Sequence, residues 1–201
     1  MIPVSMTLDD LAKIKREITM GAPYAHRMSF GLTVRLVAHP RDAATVLREI
    51  GALEGIQPAT TTKPAEQFKH PPLAPLWHKH FFACRHVARN IGDRWNVSKG
   101  EGNRDLNDVL AEIAAKCGND PARWPSAVSH RFIIGGLNDR SVAGRLTGDW
   151  IVFAKCEGEN YYLDLATHEE GEAANASRLM EKLKAGSAAE FPFAFSASAP
   201  P

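Results

Sequence analysis

Residues 57–76 form a proline-rich stretch that divides the chain into two folding segments. The sequence from residue 55 onward, GIQPATTTKPAEQFKHPPLAPL, carries prolines at positions 58, 64, 71, 72 and 75. Because proline lacks an amide donor and fixes φ, this stretch excludes a long helix or a central strand. An irregular connection of this length is uncommon within a compact domain, so we expect either an interdomain linker or a lid. We therefore divide the chain into an N-terminal segment 1–56, the connection 57–76, a main body 77–195 and a frayed tail 196–201; a single domain is the alternative.

Hydrophobic periodicity predicts helices and a few strands around this connection. Apolar residues repeat with helical spacing over 5–18, 42–55, 76–95, 104–117, 126–146 and 172–185. Alternation predicts a strand over 30–38 and a hairpin over 149–168. Helices with few, mostly antiparallel strands indicate an α+β fold, in which several helices cover a small antiparallel sheet.

The composition argues against several classes of protein. The 201 residues carry a formal net charge of +1, so no overall charge directs the chain to nucleic acid or to a membrane surface. The three cysteines, Cys84, Cys117 and Cys156, are too scattered for a disulfide framework or a zinc site, and we expect them to be reduced. The N-terminal residues do not resemble a secretory signal, and no stretch is apolar enough to span a membrane. We expect a soluble, cytoplasmic protein.

The segment 77–95, WHKHFFACRHVARNIGDRW, combines a hydrophobic stripe with basic residues. Projected as a helix, it buries its tryptophans and leaves Lys79 facing solvent. One flank of this helix carries His78, Phe82, Arg85 and Arg89. The two guanidinium groups, one turn apart, are suited to hold a phosphate of RNA or of another ligand, beside a ring that can stack on a base. The alternative, which is the commoner situation, is a solvated basic face whose arginines pair with acids elsewhere.

His78 and His80 suggest a metal site only if their side chains point the same way. Residues two apart diverge on a helix, and chelation from a helix needs a spacing of three or four. Since the hydrophobic period of this segment is helical, we predict neither a bound metal nor a cofactor. The chain also lacks glycine-rich nucleotide loops, a G-x-S-x-G elbow and an H-E-x-x-H zinc motif.

The predicted hairpin offers the other candidate site. A type II′ turn centred on Gly158-Glu159 would place Asp149 opposite His168 and put Asp164 on the same face of the ladder. A carboxylate beside an imidazole orients the ring and favours its protonated form, which is how a general base is tuned. His168, Asp149 and Asp164 are therefore our candidate catalytic residues. The alternative is that His168 merely ends a strand while the nearby acids cap the following helix.

The two candidate sites lead to hypotheses of different kinds. The first is a small, metal-independent, phosphodiester-acting enzyme similar to a ribonuclease. In such an enzyme histidine and acidic residues transfer protons, and arginine stabilises phosphate charge. The second is a non-catalytic binding or oligomerising module that uses the basic helix face. The first hypothesis requires Arg85, Arg89 and His168 to converge on one concave surface, and the second does not.

Overall fold

The computed structural model describes residues 7–96, 105–120 and 122–196. These residues divide into two compact units. The first contains the described residues up to Thr60, then Pro64–Phe81, and those from Gly148 onward; the second contains Thr61–Lys63 and the described part of Phe82–Thr147. The predicted tail beyond residue 196 lies outside the described residues. Within the described ranges, no helix is long and apolar enough to cross a membrane.

A four-stranded antiparallel sheet organises the first unit. Its strands, in spatial order, are β1 Glu66–Gln67, β2 Trp77–His80, β3 Trp150–Cys156 and β4 Glu159–Ala166. The helices of the chain are α1 Leu8–Ile18, α2 Phe30–Ala38, α3 Pro40–Leu53, α4 Val87–Arg94, α5 Leu106–Cys117, α6 Trp124–His130, α7 Gly136–Val142 and α8 Ala176–Ser187. Helices α1–α3 and α8 belong to the first unit, and α4–α7 to the second. The predicted α+β fold is confirmed.

Residues 30–38 form helix α2 rather than the predicted strand. Its buried residues are Leu32, Thr33 and Leu36, a helical spacing that the polar Thr33 conceals in the sequence. Ser29 caps the helix, since its hydroxyl accepts a hydrogen bond from the Leu32 amide at 2.9 Å. The strand prediction was wrong because a short apolar segment can fit both the helical and the strand spacing of hydrophobic residues. The serine cap favours the helix.

Residues 76–95 do not form one helix either. Trp77–His80 pairs with β3 as strand β2, and the Phe81 amide extends this pairing by donating to the Asp149 carbonyl at 2.9 Å. A 3-10 turn at Cys84–His86 precedes α4, which begins only at Val87. The residues WHKHF alternate as well as they fit a helix, and pairing with β3 selects the extended form.

The predicted hairpin is present with a different turn and register. The central turn residues are Glu157 and Gly158, whose φ angles of 51° and 82° are those of a type I′ turn. The ladder runs from Cys156 opposite Glu159 to Trp150 opposite Ala166, with an irregularity at Val152/Phe153. The predicted II′ turn was wrong by one residue. The bulge at Val152/Phe153 shifts the pairing once more towards the Trp150 end of the hairpin. The hydrophobic pattern of the sequence does not indicate this bulge.

Both faces of the sheet are covered. On one face, α8 and the 3-10 turn Pro192–Phe195 pack on a core that includes Leu76, Val152, Leu163, Leu179 and Leu183. On the other face, α1–α3 pack on a core that includes Met28, Leu32, Ile50, Phe153 and Tyr162. Neighbouring residues of β3 enter opposite cores because side chains alternate along a strand.

Lys79 lies inside the first unit, not on a solvent-facing surface as predicted. It is 5% exposed, and its ammonium lies 3.1 Å from the carboxylate of Glu49, which is 3% exposed. The hydroxyl of Thr60 donates to Glu49 at 2.6 Å and accepts from Lys79 at 3.3 Å. Burial lowers the pKa of Lys79, although the negative charge of Glu49 opposes this shift. On a strand, Lys79 shares a face with Trp77 and Phe81, which explains why it is buried.

A second, partly buried polar group ties the end of α3 to β4. The carboxylate of Glu54 accepts hydrogen bonds from Arg27 at 2.5 Å, Tyr162 at 2.5 Å and Asn160 at 3.2 Å. Burial raises the pKa of Glu54, but these hydrogen bonds outweigh burial and hold the pKa below its usual value. Burial, together with this carboxylate, raises the pKa of Tyr162 far above its usual value. Glu54 therefore stays ionised and Tyr162 protonated.

The second unit is helical in its described part. Its core contains Trp95, Val109, Ile113 and Cys117. The helix predicted over 126–146 is present as α6, a π-helical turn Arg131–Gly135, and α7. The Trp95 indole donates to the Phe132 carbonyl at 2.8 Å. A β-carbon at Gly136 would lie 2.8 Å from the indole nitrogen, so this glycine gives the tryptophan room.

Candidate active site

Strand β2 places His78 and His80 on one face of the sheet. Side chains alternate along a strand, so residues two apart point the same way. Opposite them, His80 pairs with Trp150 and His78 pairs with Val152. These positions lie on the face covered by α8. The prediction that the two histidines diverge was wrong, because it assumed a helix.

A third histidine joins them around the indole of Trp150. His168 lies two residues beyond β4, and its ring centroid is 5.1 Å from that of His80. The indole lies 4.6 Å from His78, 4.7 Å from His168 and 6.1 Å from His80. The two strand histidines are 5.7 Å apart, and Phe68 packs on His78 at 4.7 Å. His78, His80 and His168 are called the histidine cluster below.

The segment that carries His168 is pinned to helix α8. The Thr167 amide donates to the Glu170 carboxylate at 2.8 Å, and the Glu170 amide donates back to the Thr167 hydroxyl at 3.2 Å. Lys182 of α8 donates to Glu170 at 2.6 Å and to the Leu165 carbonyl at 3.0 Å. Burial raises the pKa of Glu170, but the bond from Lys182 and the amide of Thr167 outweigh it and lower the pKa overall. The ionised carboxylate therefore holds this segment in place.

Gly171 makes room for the indole at the centre of the cluster. A β-carbon at this position would lie 1.8 Å from a ring atom of Trp150. Any other residue would have to displace either the backbone or the tryptophan, since such a distance is far inside van der Waals contact. The backbone of residue 171 thus forms a wall against which Trp150, and through it the histidines, are positioned.

The ring of His80 is oriented by the main chain. His80 is 4% exposed, and its Nδ1 lies 2.9 Å from the Gly148 carbonyl oxygen. A carbonyl oxygen only accepts, so Nδ1 carries the proton in this contact and the neutral ring has its lone pair on Nε2. The Gly148 amide is also 3.4 Å from Nδ1 but would need the opposite tautomer. We assign the proton by the shorter contact.

Asp149 and Asp164 are the acids predicted beside His168. The ladder ends at the pair Trp150 and Ala166, so the predicted register with Asp149 directly opposite His168 was wrong, and a catalytic role for Asp149 stays a prediction. Asp149 directly precedes β3, and its carbonyl accepts from the Phe81 amide. Asp164 is 3% exposed, and both of its carboxylate oxygens accept hydrogen bonds from Arg35 of α2, at 2.5 and 3.0 Å. This ion pair accounts for Asp164 as a structural residue.

The predicted phosphate-binding flank is not one helix face. His78 is on β2, whereas Phe82, Arg85 and Arg89 belong to the second unit. There Arg85 is in the 3-10 turn, Arg89 is on α4, and both are exposed. The ring of half-buried Phe82 lies 6.1 Å from that of His86. Ligand binding by these residues stays a prediction.

A metal is still not predicted, but for a different reason. Among the residues that the structure describes, no group of three or more histidine, cysteine or acidic side chains is arranged to hold a metal ion. On strand β2 the side chains of His78 and His80 point the same way, so their spacing does not exclude a metal. The histidine cluster instead surrounds an indole, and the ring of Trp150 occupies space between its members.

Sequence reasoning missed His80, Trp150 and Gly171 as parts of this site. The signal for the two strand histidines was the alternation in WHKHF, where Trp77, Lys79 and Phe81 take one face and the histidines the other. No signal in the sequence indicates that the segment after β4 returns to them, since that depends on the bulge and on the contacts with α8.

Comparison with known proteins gave no match. No family model matches the chain, and neither the curated proteins nor the solved structures showed a significant similarity to it. A functional argument therefore depends on the side chains and their geometry alone.

Proposed function

We propose that the protein cleaves phosphodiester bonds in RNA without a metal ion, using the histidine cluster for proton transfer. The observation that carries this proposal is the approach of His80 and His168, from separate segments of the chain, to a ring distance of 5.1 Å. Imidazole exchanges protons readily near neutral pH, and two imidazoles can act as base and acid in one reaction.

In the proposed reaction, the ribose 2′-oxygen attacks the adjacent phosphorus while the bond to the 5′-oxygen breaks. Neutral His80 takes the 2′-hydroxyl proton on Nε2, since its Nδ1 proton is held by the Gly148 carbonyl. Protonated His168 gives its proton to the departing 5′-oxygen. The products are a 2′,3′-cyclic phosphate and a free 5′-hydroxyl, and the two histidines have exchanged protonation states.

The proximity of the two rings supports this division of roles. Because two positive charges at this distance repel, we assign the base to one imidazole and the acid to the other. Trp150 packs against both rings and acts as a positioning residue, because it restricts their rotation. We keep Asp149 as a proposed orienting residue, while Asp164 is no longer proposed as catalytic.

Binding of the RNA backbone is assigned to arginine. We propose that Arg85 and Arg89, both exposed on the second unit, bind backbone phosphates, with Phe82 nearby for stacking. The same exposure favours a second candidate function, a non-catalytic RNA-binding module. We place either activity in the cytoplasm on the sequence argument alone.

Cleavage of a labelled oligoribonucleotide in the presence of a chelator tests the enzyme proposal. His80→Asn keeps an amide that can donate to Gly148, and His168→Ala removes the proposed acid. Each should lower kcat/KM by about 10²–10⁴-fold, the usual contribution of a general acid or base. The matched control is His39→Ala, an exposed histidine that should leave the rate unchanged. DNA of the same sequence lacks the 2′-hydroxyl and should not be cleaved.

The outcomes separate the two functions. A wild type that binds RNA but cleaves none of it would overturn the enzyme proposal and support the binding module. In that case, Arg85→Ala combined with Arg89→Ala should weaken binding and flatten its salt dependence. Equal cleavage by the wild type and both cluster variants would mean that the activity belongs to another site or to a contaminant.

A further inference from the structure

The second unit contains a cleft of about 510 Å³ between α5, α6 and the π-helical turn. This volume lies within the range of roughly 300–1,000 Å³ that small-molecule sites occupy. Its apolar lining comes from Ile113 and Cys117 of α5, which are 2% and 5% exposed, and from Ala127 of α6. Since Ile113 and Cys117 belong to the unit's own hydrophobic core, this floor is held by packing rather than by a surface loop.

The rim of the cleft is positively charged. Lys116, Arg123 and Arg131 line it, together with His130 and the single carboxylate of Glu112. That carboxylate accepts from Lys116 at 2.7 Å and from Arg131 at 3.2 Å, so it is shared between two cations. The three cations therefore face this carboxylate and, outside the lining, Asp139, which pairs with Arg131 at 3.2 Å. One bound anion would complete the charge balance of the rim.

Arg123 is the cation of the rim that is available to a ligand. It is exposed, and it forms no ion pair with any residue in the described part of the chain. It lies immediately before α6 and lines the same cleft as Lys116 of α5. An anionic group held by both residues would gain a charge-assisted hydrogen bond from Arg123, and one from Lys116 beside the bond that this lysine makes to Glu112.

Arg131 is held in place by the π-helical turn. A β-carbon at Gly135 would lie 2.8 Å from its Nη1, so this glycine lets the side chain fold back over the turn. Its guanidinium also donates to Asp139 at 3.2 Å and lies 5.6 Å from the ring of Trp95. π-Helical turns occur frequently at functional sites, where they change the direction of side chains.

We propose that this cleft binds a small organic anion, with a compact apolar body on the Ile113, Cys117 and Ala127 floor and its charged group between Arg123 and Lys116. The shared chemistry is one anionic group, either a carboxylate or a phosphate monoester, on an aryl-sized body. This site belongs to the second unit and is independent of the reaction proposed for the histidine cluster.

Binding of matched probes to the full chain tests the proposal. Phenylacetate and phenyl phosphate supply the two anionic groups, 2-phenylethanol is a neutral body of similar size, and inorganic phosphate is a group without a body. In two-dimensional NMR titrations, at least one phenyl anion should shift amide signals of α5 and α6 saturably. The neutral alcohol and inorganic phosphate should bind about tenfold more weakly or not at all, since each makes only half of the contacts.

Three variants locate the site. Arg123→Glu should weaken binding of the phenyl anion by about tenfold or more, the loss expected for a charge-assisted hydrogen bond. Ala127→Leu should abolish binding by filling the floor, and Ser126→Leu, at an exposed lining position, repeats this test if the first variant folds poorly. Lys184→Glu, an exposed lysine on α8, is the charge control and should bind as the wild type does.

Three results would overturn the proposal. They are no saturable shift with either phenyl anion, equal affinity for 2-phenylethanol, and a phenyl-anion affinity that Arg123→Glu and the leucine variants leave unchanged. Tighter binding of phenyl phosphate than of phenylacetate would assign the site to phosphate monoesters, and the reverse would assign it to carboxylates.

Discussion

Replacement of Lys79 tests the placement of strand β2 directly. If 77–95 were one helix, this lysine would face water and its loss would have almost no effect. On β2 its side chain is 6% exposed, and its ammonium lies 3.1 Å from the equally buried carboxylate of Glu49. Lys79→Met removes the ammonium, keeps most of the aliphatic volume, and breaks the ion pair with this buried carboxylate.

The expected cost follows from the loss of this buried ion pair. Removing one partner of a buried ion pair destabilises a protein by about 3–5 kcal/mol. Domains of this size have a total unfolding free energy of about 5–15 kcal/mol, so the variant should lose a large part of its stability. Replacing both partners, as in Lys79→Met with Glu49→Leu, should recover most of the loss, because well-packed apolar residues often replace a buried ion pair without net cost.

Denaturant unfolding measures these free energies, with Lys184→Met as the matched control. This lysine is exposed, so its replacement should change the unfolding free energy by no more than about 0.5 kcal/mol. A pH series adds a second measurement. Burial lowers the pKa of Lys79, so the unfolded chain keeps its proton to higher pH than the native state does. The free energy of unfolding of the wild type should therefore increase with pH between the lowered pKa and the usual value of about 10.4. This increase should be absent in Lys79→Met.

Equal stabilities of Lys79→Met and Lys184→Met would refute this reasoning. The lysine would then be solvated, and the pairing of β2 with β3 would be in doubt. A double variant less stable than Lys79→Met would contradict the ion pair in particular, because removing an isolated buried carboxylate should help.

Three further predictions concern other parts of the first unit. The pKa of Glu54 is held below its usual value, so the wild type should lose stability as pH falls from about 4.3 through the lowered pKa. In Glu54→Gln the unfolding free energy should depend less on pH over this acidic range. An unchanged pH dependence would contradict the hydrogen-bond network around Glu54. Gly171→Ala should shift the indole NMR signal of Trp150, since the new β-carbon would overlap the ring, and an unshifted signal would contradict the close approach. Arg35→Met should lower the unfolding free energy by about 1–3 kcal/mol by leaving Asp164 buried with fewer donors; no loss in a denaturant melt would mean that this ion pair is structurally unimportant.

The sequence by itself determined those features that depend on local order. The helical stripes of α3, α5 and α8 and the presence of the 149–168 hairpin could be predicted from spacing and turn residues. The α+β fold followed from their combination. Each of these features depends on residues that are near one another in the chain, so the information is contained in a short window.

Only the tertiary structure decided the secondary structure of segments whose hydrophobic pattern fits both a helix and a strand. The segment WHKHF fits a strand or a helix, and hydrogen bonding to β3, some seventy residues later in the chain, selects the strand. That one choice reverses the environments of its side chains: Lys79 becomes buried beside Glu49, and His78 and His80 come to one face. The segment after β4 then brings His168 beside the rings of His80 and Trp150. The candidate site was not visible in the sequence because each of its contacts joins separate segments of the chain, and the free energy that orders them comes from packing on both faces of the sheet.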